Sequence, residues 1–164
     1  MGKFVSTSTA LQLQDGTVVA YANKEYYTEA ADRFSYLYDN EWSGWIKKTK
    51  SVSTLKIFFA LALLQEVGNP VVYFSPVRRR EIISEYDLSE VSLYSALSEL
   101  EDYGVIIRGD VVDPDSGEVI KSVGRGQIIL NPFVVWRGEA RERRTCAAEF
   151  MYYLNLRRKA DGTR

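Results

Sequence analysis

Residues 75–109 read SPVRRREIISEYDLSEVSLYSALSELEDYGVIIRG, and this stretch decides the fold. Ser75 offers a capping hydroxyl, and Pro76 follows at the helical position that needs no amide hydrogen. Ile82 and Ile83 supply a buried side, and the helix ends near Tyr86. Asp87 and Leu88 make a tight connection, Ser89 caps a second helix, and that helix runs to about Tyr103 before Gly104 stops it. Two short helices joined by a few residues, the second followed by GVIIR, predict a helix-turn-helix and then a wing.

A helical wheel at about 100° per residue sorts the second helix. Leu93, Ala96, Leu97 and Leu100 form one stripe, continued by Gly104. Val91, Ser95, Ser98 and Asp102 lie opposite, with Ser92 and Tyr94 at the two edges. The N-terminal half of the exposed side is small and neutral, which suits close approach to base edges in the major groove. Serine can donate or accept there, and Val91 can touch a thymine methyl. Glu99, Glu101 and Asp102 occupy the C-terminal half, where phosphate would repel them, so only the N-terminal end is expected to enter a groove. Glu90 has two readings: an acceptor for a cytosine amino group, or an acid suited to the helix macrodipole. The candidate groove-reading residues are Ser89, Glu90, Val91, Ser92, Tyr94 and Ser95.

Arg78, Arg79 and Arg80 fall in the first turn of the preceding helix, where the dipole disfavours cations. An approaching DNA phosphate would offset that cost; the other reading is a solvated run pairing with Glu81 and Glu85. After the second helix the chain reads as strands separated by turns, DPDSG being the strongest. The tip acids Asp113, Asp115 and Glu118 would avoid DNA, so a wing contact falls to Lys121 and Arg125; otherwise this is a plain surface hairpin. A second basic cluster runs from Arg137 through Arg141, Arg143 and Arg144 to Arg157, Arg158 and Lys159.

Outward from this region, LQLQDGTVVAY predicts a hairpin over 9–22 turning at Asp15-Gly16. Phe34, Leu37, Tyr38, Trp42 and Trp45 repeat at threes and fours and predict an aromatic helix over 28–48, either core or a dimer face. A largely apolar helix begins near Ser53 or Thr54 and runs to about Val67, where GNP stops it. VVYF at 71–74 is a short strand. The tail, 139–159, is a helix whose Ala147, Phe150, Met151 and Leu154 stripe serves as core or joins two subunits.

The expected class is α+β, one domain over 1–164: hairpin and aromatic helix in 1–50, a winged-helix core in 51–138 and a basic C-terminal helix in 139–164. With 46% hydrophobic and 26% charged residues the chain reads as globular and cytoplasmic, and its longest apolar run is too short to span a membrane. It has no histidine and one cysteine, Cys146, which argues against structural zinc and closes His-dependent nucleophilic catalysis. No P-loop or dinucleotide fingerprint is present. The expectation is therefore a non-enzyme with no metal and no cofactor. The net charge of −1 leaves local clustering of Lys and Arg to carry any DNA affinity.

The segments LSEVSLYSALSELEDYGVI and GQIILNPFVVWRG, with the order of elements around them, resemble the winged-helix plasmid replication proteins of the RepL type. The likeness covers roughly residues 30–140. It implies binding of double-stranded DNA at a replication origin and recruitment of host replication proteins, without chemistry of its own. By position, Ser92, Tyr94 and Ser95 would face the groove. A homodimer would present two such helices to half-sites about one turn apart. The same fold serves transcriptional regulators, and a winged helix used for protein contact would employ the aromatic face of 34–45.

Overall fold

The computed structural model describes residues 10–12, 18–20, 36–38 and 44–162. In chain order the elements are β1 (Ala10–Gln12), β2 (Val18–Ala20), β3 (Tyr36–Leu37), α1 (Gly44–Lys48), α2 (Val52–Leu64), β4 (Val71–Tyr73), α3 (Pro76–Glu85), α4 (Glu90–Asp102), β5 (Ile106–Arg108), β6 (Val111–Val112), β7 (Val119–Lys121), β8 (Gln127–Leu130), β9 (Val135–Trp136) and α5 (Ala140–Ala160). This is a mixed α and β chain with small antiparallel sheets. β8 is the middle strand of a three-stranded sheet ordered β4-β8-β5, while β1–β2, β3–β9 and β6–β7 are pairs.

Strand alternation divides the three-stranded sheet between two cores. Val72, Ile106, Ile128 and Leu130 join Ile57, Phe58 and Leu61 of α2 and the α4 stripe of Leu93, Ala96, Leu97 and Leu100. Ile107 and Ile129 belong to the other core, where Val111 and Val123 meet Phe150 and Leu154 of α5. The apolar stripe of α5 is thus used within the chain and is not left for a second copy. No helix among the described residues is long and apolar enough to cross a membrane.

The helix starts follow from local chemistry. Ser75 and Ser89 each accept a hydrogen bond from the amide three residues on, Arg78 N at 3.2 Å and Ser92 N at 3.0 Å. The cap of α2 is Ser51, which accepts from Thr54 N at 3.2 Å, two or three residues before the expected Ser53 or Thr54, and the Thr54 hydroxyl donates to Glu99. α4 ends in a Schellman motif: Val105 N donates to Leu100 O at 2.9 Å and Gly104 N to Glu101 O at 2.9 Å. Gly104 takes φ 69 there, the left-handed conformation that a side chain would oppose. Asp87 supplies the same conformation between α3 and α4 at φ 50, and Leu88 N closes that turn on Ile83 O.

The N-terminal strands pair as expected, with Leu11 opposite Val19, although the Asp15-Gly16 turn lies outside the described residues. The aromatic helix expected over 28–48 is not continuous. Residues 36 and 37 form β3, hydrogen-bonded to β9 with Tyr36 opposite Trp136, and among the described residues of this stretch Gly44–Lys48 are helical. An edge offered by β9 outcompetes the local helical spacing at this point. Phe34 and Trp42 lie outside the described residues.

Asn131 ties these layers together. Its buried side chain donates from Nδ2 to Gly104 O at 2.8 Å and accepts from Phe133 N at 2.8 Å. Its backbone N–H donates to Val105 O, and its carbonyl receives Val134 N and Val135 N. Gly138 follows, so close to Gly68 that an added Cβ would sit 2.8 Å from its nitrogen. Asn131→Ala leaves a buried carbonyl and a half-buried amide without their partner, and about 1–3 kcal/mol of unfolding free energy should be lost. Urea unfolding would register this as a lower midpoint at unchanged slope.

Candidate functional site

Burial of its leucine stripe turns one line of α4 outward: Val91, Ser95, Ser98 and Asp102 are all exposed. Val91, at 79% exposure, is the most open large apolar side chain among the described residues. The Ser92 hydroxyl is hydrogen-bonded to the capping hydroxyl of Ser89 at 2.9 Å, which leaves Ser95 as the freer of the two serines. Ser89 and Glu90 are exposed at the start of the helix.

The three arginines expected at the start of α3 have different surroundings. The guanidinium of Arg79 lies between the rings of Phe74 and Tyr94, 5.8 and 5.5 Å from their centroids, and donates to the Tyr94 hydroxyl at 2.6 Å. It braces α3 against α4. Arg78 pairs with Glu81 at 2.9 Å, both more than half exposed, a contact worth little in water and easily exchanged for phosphate. Arg80 is exposed.

Arg125 joins this group through the backbone. Phe74 N donates to Gly126 O at 2.6 Å, so the turn holding the exposed Arg125 abuts the start of α3. Lys121 does not join it. It is half-buried on β7 opposite Val111, in the hairpin that packs on α5. The hairpin tip is anionic, as its sequence implied: the Asp115 amide, at 2.8 Å, holds the Asp113 carboxyl below the usual carboxylate range, and Asp115 pairs with Lys159.

Glu99 and Glu101 do not present their charge on the outer line of α4. Glu99 accepts from the Thr49 hydroxyl at 2.7 Å and from the Thr54 hydroxyl. Glu101 accepts from Arg108 Nη2 at 2.7 Å, from the Arg108 amide at 3.1 Å and from Arg157 Nη1 at 2.8 Å. Of the three acids in the C-terminal half of α4, Asp102 alone is exposed.

The second basic cluster is largely structural. Arg157 also donates to the carbonyls of Arg108 and Gly109. Arg137 donates to Gln65 O at 2.8 Å. Arg143 lies 3.6 Å over the Tyr38 ring and donates to Pro132 O at 2.9 Å. Arg141 and Arg144 are exposed on α5. Burial first, then Glu149 and Glu142, push the Cys146 thiol up and disfavour its thiolate.

A further basic run, Lys47, Lys48 and Lys50, is not among the sequence candidates: the aromatic period takes Lys47 and Lys48 as the end of a long helix and leaves Lys50 just beyond it. All three are exposed, and Thr49 between them touches α4 through Glu99.

Replacing Arg157 by Met withdraws one partner from Glu101 and the donor from three carbonyls, and should cost about 1–3 kcal/mol of stability. Arg80→Ala, on an open surface, should change it by no more than about 0.5 kcal/mol. Equilibrium urea unfolding of the two variants separates these expectations. No family model, curated protein or solved structure matches this chain.

Proposed function

We propose that this chain is a sequence-specific double-stranded DNA-binding protein in which α4 enters the major groove. The reading takes α2, β4, α3, α4, β5 and β8 as a winged helix, with α3 and α4 as its helix-turn-helix. The observation that carries it is the surface of α4. Its open line is small and neutral at the N-terminal end, two of its four acids are drawn into hydrogen bonds, and Arg78, Arg80 and Arg125 are exposed on α3 and on the turn that abuts its start. A helix of about 10–12 Å diameter fits a groove about 12 Å wide when the face entering it lacks bulk and negative charge.

In this reading Val91 and Ser95 read base edges, Arg78, Arg80 and Arg125 meet phosphate, and Arg79 holds Tyr94 in place. The sheet order β4-β8-β5 supports it, because it brings the turn after β7 to the start of α3. Origin binding as a replication initiator is the use we propose for this surface, on the RepL-type likeness of residues 88–106 and 126–138.

Selection from a random duplex pool near physiological salt should enrich a motif if the reading holds. Weak, salt-sensitive binding without enrichment would sink it. Arg80→Ala should weaken binding to all duplexes alike, whereas Ser95→Ala or Val91→Ala should change the preferred base at one position. The chain has no histidine, the side chain that ordinarily titrates between about pH 5 and 8. Affinity should accordingly stay flat from pH 6 to 8, as fluorescence anisotropy at constant ionic strength would show.

A further inference from the structure

We propose that Lys47, Lys48 and Lys50 form a second phosphate contact, on the DNA strand opposite the one met by Arg78, Arg80 and Arg125. The inference rests on α4 entering the major groove. A helix seated there has a row of phosphates along each flank, and the two rows belong to different strands. On α4 the flanks are set by the buried stripe. Tyr94 and Glu101 lie on one, facing Arg79 of α3 and Arg108 of β5. Ser92 and Glu99 lie on the other, and Glu99 meets the corner between α1 and α2.

That corner is held firmly. Thr49 donates to Glu99, its hydroxyl accepts from Ser51 N at 3.2 Å, and its amide donates to Trp45 O at 2.8 Å. Trp45 is buried, with its ring 4.9 Å from that of Phe58. Lys48 and Lys50 are the immediate neighbours of Thr49, so their backbone is fixed beside the third turn of α4. Among the described residues none of the three lysines makes an ion pair, and Glu99, which Thr49 contacts, is already engaged by two hydroxyls. Ordered backbone carrying unpaired ammonium groups lowers the ordering cost of a phosphate contact, and lysine serves phosphate as a mobile point charge.

The experiment uses the full chain and the duplex enriched by selection. It compares the wild type, the K47A/K48A/K50A triple variant and R78A/R80A in salt titrations and backbone footprints. The lysine triple should weaken binding to every duplex alike. It should reduce the slope of log K against log salt by about 2–3, at roughly 0.9 per phosphate. Protection should be lost along one strand, and R78A/R80A should lose it along the other. A K47R/K48R/K50R variant should restore the slope, and thermal unfolding should match the wild type in all of them. An unchanged slope, loss on the same strand as R78A/R80A, or no rescue by arginine would overturn the proposal while leaving α4 as the reading helix. A wild-type chain that binds no duplex would overturn both.

Discussion

The stripe of Leu93, Ala96, Leu97 and Leu100 packed against α2 holds α4 at one rotation about its axis, and every polar group on that helix takes its place from that rotation. Burying each leucine is worth about 1.5–3 kcal/mol, so a turn of one residue would expose several kcal/mol of apolar surface and bury serine in its place. With the stripe inward, Glu99 and Glu101 fall on opposite flanks and meet different partners: threonine hydroxyls on one side, arginines on the other. Val91 and Ser95 are left on the line that points away from the core.

This arrangement explains how a chain of net charge −1 can carry a surface suited to an anion. Net charge counts every group equally, whereas a phosphate responds to groups within about a Debye length, roughly 8–10 Å. Glu99 and Glu101 are occupied by donors, Asp115 pairs with Lys159, and the acidic hairpin tip leans toward α5. The Glu101–Arg108–Arg157 cluster is only about a quarter exposed. Partly desolvated pairs of this kind are weak evidence for net stability, and their clearest effect is to fix the end of α4, the β5–β6 turn and α5 relative to one another.

Local signals were legible in the sequence. Ser75-Pro76, Ser89 and Gly104 each act on backbone within a few residues, so the bounds of α3 and α4 follow from them, and the leucine stripe announces its own buried face. The contacts between Asn131 and Gly104 could not be read, although Asn131-Pro132 stood out as a motif. β3 was hidden for a related reason: the aromatic spacing around it fits a helix, and only β9, far along the chain, decides otherwise. The charged candidates divide the same way. A run of arginines is visible in any sequence, but whether Arg157 faces solvent or three consecutive carbonyls depends on a turn some fifty residues away. Arg79 looked like its neighbours until Phe74 and Tyr94 closed on it.

The division between the two cation types follows from their chemistry. Arg108, Arg137, Arg143 and Arg157 each use a planar, many-donor group to satisfy backbone carbonyls, a carboxylate or an aromatic face in partly buried places. An ammonium group has no such fork and stays hydrated, which matches the open positions of Lys47, Lys48 and Lys50. If those lysines and a few arginines supply the phosphate contacts, their number is small, and the sequence-independent share of affinity is small with it. Discrimination among duplexes must then come from the short neutral line of α4. There one valine and one serine can each distinguish a base only if the brace between Arg79 and Tyr94 keeps the helix from rocking in the groove. If α4 is the reading helix, specificity on this surface is a property of how rigidly α4 is held as much as of which side chains it presents.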